Sequence, residues 1–134
     1  MREINAASFP SKASEMNPVV QPDMPMVRTI YNYLGCKNLI TLKFISIVVT
    51  AITVFDWKQT NYGEKNIARK GAAGITTRLF DKVFRLENIY DTGKFPEDET
   101  VEDTFGDIGV YGFMGLMCRY GWWPGSPESK AIKT

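Results

Sequence analysis

Asp103, Asp107 and Tyr111 stand at four-residue steps in the stretch Asp103-Thr104-x-x-Asp107-x-x-x-Tyr111, so on a helix two carboxylates and a phenol share one face. Carboxylates one turn apart form an edge for a divalent cation, because Mg²⁺ takes one or two carboxylates together with waters and substrate phosphates. Glu102 adjoins this edge. In the segment before it, Arg78-x-x-Asp81-Lys82-x-x-Arg85 sets one carboxylate among three cations at the same helical spacing. The forked donors of Arg match phosphate oxygens and Lys adds a compact charge. Asp81 can join the acidic pair from a facing helix, as bundle sites gather carboxylates from several helices. Together the two clusters are a candidate site for metal-bound phosphates, and Trp57, Tyr62 and Tyr111 supply faces on which a nucleobase could stack. Each feature also has a plainer reading. Asp103 can serve as a helix cap with Asp107 in solvent, the cations can form a salt-bridged surface that contributes little, and the aromatics can be packing.

Composition narrows the chemistry. The chain has no histidine, which removes Ser-His-Asp and Cys-His nucleophile systems and any His-ligated metal. No GxxxxGK[ST], GxGxxG or GxSxG motif occurs, so phosphate loops, dinucleotide folds and serine hydrolases are excluded as well. Sixteen Lys and Arg against fifteen Asp and Glu give a net charge of +1, which provides no global field for a nucleic-acid polymer or an anionic membrane. Cys36 and Cys118 lack CxxC spacing and lie in apolar surroundings, reading as reduced thiols in a cytoplasm.

The elements that must hold these residues read as helices. Residues 1–25, with Pro10, Pro18, Pro22 and Pro25, have the composition of a flexible arm. Residues 26–33 make a short helix stopped at Gly35. Residues 38–60 are rich in β-branched side chains, yet too long for a strand, so the length predicts a helix buried on most sides. Its apolar run, Phe44 to Phe55, is shorter than the roughly 20 residues a membrane span needs, and a membrane partner is not expected. A polar, glycine-punctuated connection follows over 61–74, a plausible rim for a pocket. Apolar residues at three- and four-residue steps from Ile75 to Tyr90 predict an amphipathic helix ended by Gly93. Thr100 then caps a helix over 101–120 with Asp103 at its third position. That last helix carries Gly106, Gly109, Gly112 and Gly115, each costing up to about 1 kcal/mol relative to Ala, which close packing against another helix, a ring or a second subunit would offset.

The sum is an all-α bundle of about three to five helices: an arm over 1–25, one helical domain over 26–123 and a C-terminal tail over 124–134. The ordered set Lys58-Gln59-Thr60-Asn61-Tyr62-Gly63, Gly74-Ile75-x-x-Arg78-Leu79-x-Asp81-Lys82-x-x-Arg85-Leu86 and Glu102-Asp103-Thr104-x-x-Asp107-Ile108-x-x-Tyr111 resembles the small MazG-like, nucleotide-modification-associated proteins of phages and bacteria. These lie within the all-α nucleoside triphosphate pyrophosphatase group, and the likeness covers roughly residues 40–120. It implies a helical fold completed by homo-oligomerisation and Mg²⁺-dependent (or Mn²⁺-dependent) hydrolysis of a free (d)NTP to monophosphate and pyrophosphate in a bacterial cytoplasm. Carried over by position, Asp103 and Asp107 match its acidic motif and Asp81, Lys82 and Arg85 its preceding helix motif; with the residue reading this gives Asp81, Asp103 and Asp107 as expected catalytic and metal residues, Glu102 as a further ligand, and Lys58, Tyr62, Arg78, Lys82, Arg85 and Tyr111 as expected nucleotide contacts. Thr104 stands where the group has its later glutamate, and residues 39–60 offer only Asp56 for the earlier acidic pair. The alternative is a module that binds nucleotide or a partner without catalysis, as sensor, inhibitor or structural subunit.

Overall fold

The computed structural model describes residues 20–132 and is all-helical, with no strand among the described residues. Six helices follow in order: α1 (Pro25–Tyr33), α2 (Ile40–Tyr62), α3 (Lys65–Ala68), α4 (Gly71–Thr92), α5 (Val101–Arg119) and α6 (Pro127–Ile132). Most of the arm expected over 1–25 lies outside the described residues. The chain forms two compact units, the first ending at Trp57 and the second beginning at Lys58.

In the first unit α1 begins at Pro25, whose missing N–H is no loss at a helix start. Val20, Val27 and Ile45 form its small core, with Ile30, Tyr31, Leu42 and Val49 packed around them. Ser46 and Thr50, one turn apart on α2, fasten the chain ahead of α1. Ser46 Oγ donates to the Val20 carbonyl, and the Val20 N–H donates to Thr50 Oγ1 at 3.3 Å. Length decides for helix in α2, as expected, since its backbone polar groups are satisfied within the segment. The expected burial does not follow: only 22% of its most apolar stretch is buried, and Phe44, Ile47 and Ile52 are exposed. At 23 residues, about 35 Å of rise, α2 is long and apolar enough to cross a membrane by length and composition.

In the second unit α4 and α5 pack together most extensively. They run antiparallel, since Gly115 lies beside Ile75 near one end and Glu99 meets Arg85 near the other. Ile75, Leu86, Ile89, Met114, Cys118 and Trp123 are its buried apolar residues. Gly93 ends α4 in the left-handed conformation, φ 69°, and its N–H donates to the Ile89 carbonyl at 2.8 Å. Two expectations change here. Residues 124–134, read as a tail, contain α6, because the buried Ser126 and Ser129 and the Glu128 carboxylate give this short segment internal partners. The glycine strip of α5 is not uniformly packed either. A Cβ on Gly109 or Gly112 would meet nothing within 4 Å, whereas one on Gly115 would touch Ile75 at 3.8 Å.

Candidate functional site

Lys58 near the end of α2, Lys82 in the middle of α4 and Asp107 on the first half of α5 meet in one ion-pair group. Lys58 Nζ lies 3.1 Å from Asp107 Oδ1, and Lys82 Nζ lies 2.9 Å from Asp107 Oδ2. Lys82 Nζ also donates to Glu99 Oε1 at 2.8 Å. Glu99 Oε2 in turn faces Arg85 Nε at 3.2 Å, and Arg85 Nη2 donates to Asp98 Oδ1 at 3.2 Å. The group thus joins one residue from each of the three motifs whose order carries the MazG-like resemblance, across up to 49 positions of sequence.

Local structure explains the placement. Thr100 caps α5 by accepting from the Asp103 N–H at 3.0 Å, while Asp103 Oδ2 accepts from the Thr100 N–H at 3.2 Å. This reciprocal box turns the Asp103 side chain back to the helix start and leaves Asp107, one turn on, to face α4. The residue preceding the box, Glu99, then hangs beside Lys82 and Arg85. Thr104 is fully buried, and its hydroxyl lies 3.0 Å from both Glu99 Oε2 and the Thr100 carbonyl, so one proton is shared between two acceptors. The residue in the glutamate position of the resemblance therefore positions Glu99.

Burial and charge compete at both central groups. Burial pulls the Lys82 ammonium down, but hydrogen bonds and charges from Glu99 and Asp107 outweigh it and hold its pKa above the ordinary value. For Asp107 burial pushes upward, and the Lys58 charge together with the Lys82 hydrogen bond and charge prevails, so its pKa is lowered.

The remaining expected residues separate from this group. Asp81, expected to share a cation with Asp103 and Asp107, is exposed and forms no ion pair among the described residues. Arg78, Glu102 and Tyr111 are half-buried, and Tyr62 is exposed. Among the described residues no three acidic or cysteine side chains are grouped to hold a metal ion. Both oxygens of Asp107 already face ammonium groups, and Asp103 is committed to its cap. These carboxylates do not fit a resident divalent ion. Glu99 and Asp98 were missed as partners in the sequence; the signal for them was an acidic run, Glu97 to Glu99, next to a cap and downstream of three spaced cations. No family model matches the chain, and neither a curated protein nor a solved structure does.

Proposed function

We propose that this chain is a MazG-like nucleotide-binding module that takes the phosphates of a free (d)NTP on Lys58, Lys82 and Arg85. One observation supports the reading above the others: the three motifs that carry the resemblance converge through Lys58, Lys82 and Asp107 at 2.9–3.1 Å. In the ligand-free chain the cations hold Asp107, Glu99 and Asp98 as internal stand-ins for phosphate. An incoming phosphate replaces Asp107 as acceptor for the two lysines, an exchange of one anionic oxygen for another that leaves no cation unpaired. The Tyr62 and Tyr111 rings offer faces for the base, and Mg²⁺ belongs to the ligand, carried in on the triphosphate. Hydrolysis to monophosphate and pyrophosphate is the more demanding form of the same reading, since it needs carboxylates that this arrangement spends on lysines.

A panel of NTPs and dNTPs, with Mg²⁺ and with EDTA, tests the module by thermal shift and by pyrophosphate release. At a hundred times Kd a bound nucleotide adds about 2.7 kcal/mol of stability, a readily measured rise in Tm, and Lys82→Gln should remove it. If no nucleotide raises Tm and none is turned over, the reading is wrong. Pyrophosphate release that Mg²⁺ supports and EDTA stops would add turnover to binding.

A further inference from the structure

A cleft of about 570 Å³ opens in the second unit between α3 and the segment from Pro124 to Lys130, well within the size range of small-molecule sites. Lys65 at the start of α3, Arg69 just past its end and Lys130 on α6 line it, with Glu64 as its single acidic lining residue. Its charge differs in kind from that of the Lys58–Lys82–Arg85 group. There three cations are matched by Asp98, Glu99 and Asp107, whereas none of Lys65, Arg69 and Lys130 forms an ion pair among the described residues. Three unmatched cations around one concavity repel one another, and an anion entering between them relieves that repulsion.

The walls are held from below by buried contacts, so the cleft is formed before any ligand arrives. Trp123 is only 2% exposed, and its Nε1–H donates to the Glu64 carbonyl at 3.0 Å, tying the start of α3 to the C-terminal segment. Gly125 turns that segment at φ +75°, a left-handed conformation that glycine adopts without strain. Ser126 is fully buried, and its Oγ accepts from the Ser129 N–H at 3.1 Å, which fixes the turn into α6 and so places Lys130.

We propose that this cleft is a second anion site, taking the phosphoryl groups of a small soluble polyphosphate ligand. Several phosphoryl charges suit three cations, one of them a guanidinium able to grip two oxygens. The net charge of +1 for the chain gives no extended field for a polymer, which favours a small ligand over a nucleic acid. The site is independent of the nucleotide reading.

Isothermal titration with inorganic tripolyphosphate tests it on the full chain. The wild type and Lys82→Gln should each bind tripolyphosphate, more weakly as salt is raised. In the Lys82→Gln background, where the first phosphate site is disabled, adding Arg69→Gln with Lys130→Gln should weaken that binding by about tenfold or more. Both residues are exposed, so far-UV circular dichroism should show an unchanged fold. The proposal fails if wild type does not bind tripolyphosphate, if Lys82→Gln alone abolishes binding, or if adding Arg69→Gln/Lys130→Gln to Lys82→Gln leaves binding unchanged. It also fails if a single-stranded oligonucleotide binds more tightly than tripolyphosphate and the double substitution removes that binding instead.

Discussion

Asp107→Asn keeps the shape of the side chain and removes the charge on which two lysines converge. Asp107 and Lys82 are mostly buried, with side-chain exposures of 17% and 22%, so their contact is shielded from water; Lys58 is 40% exposed, and its contact is discounted for screening. A charge-assisted hydrogen bond of the first kind is worth roughly 1.5–3 kcal/mol and an exposed pair under about 1 kcal/mol, while Lys82 keeps Glu99, so the net loss should be about 1–3 kcal/mol. For a unit of this size each kcal/mol moves Tm by roughly 4–8 °C, which predicts a fall of about 4–24 °C. Thermal unfolding followed by circular dichroism at neutral pH reads it. The sign with pH follows from the lowered Asp107 pKa. Its stabilisation is complete above the unfolded carboxylate value, about 4, and disappears as pH falls through the lower folded value. The curves of wild type and Asp107→Asn should therefore converge in acid. A drop below about 2 °C at neutral pH, or a gap that persists undiminished at pH 2, would refute the assignment of this carboxylate as the shared counter-ion. The same variant frees two lysines, so nucleotide affinity should rise even as stability falls; a loss of affinity would refute the exchange of Asp107 for phosphate.

Two other consequences concern positions away from the ion pairs. Gly71 sits at φ +55°, and a Cβ there would lie 2.1 Å from Glu128 Oε1, so Gly71→Ala should expel Glu128 from its 3.0 Å bond with the Ala72 N–H. Left-handed strain and a lost helix-start contact together give a destabilisation of about 2–4 kcal/mol, measurable by urea unfolding. Burial first, and then the Glu128 charge, hold the Cys118 thiol above its ordinary pKa, and the side chain is fully buried. Cys118 should accordingly resist a thiol reagent at pH 8 in the folded chain and react at once in denaturant, while the half-buried Cys36 reacts earlier.

Much of the helical layout was legible in one dimension because its signals are local. The Thr100/Asp103 box, Gly93 after an apolar period and the length of the run after Asn38 each act within a turn or two, and the corresponding helices lie within a few residues of the sequence reading. The turn α3 and the helix α6 were not legible. They are too short to show periodicity, and what stabilises the C-terminal segment, Trp123 on the Glu64 carbonyl and Glu128 on the Ala72 N–H, spans 59 and 56 positions of sequence.

At the site the division is the same. One dimension supplies the residue types: acids at one-turn spacing, cations at one-turn spacing, no imidazole and no phosphate loop. Which side chains Asp107 faces could not be read there, because helical spacing says which side chains share a face and nothing about what lies opposite. In the fold α5 lies antiparallel against α4, which brings Lys82 to 2.9 Å from that carboxylate and leaves Asp81 in solvent, while Lys58 reaches it at 3.1 Å from near the end of α2. A partly buried carboxylate is stabilised by the nearest cation it can reach, and in this chain two lysines reach it.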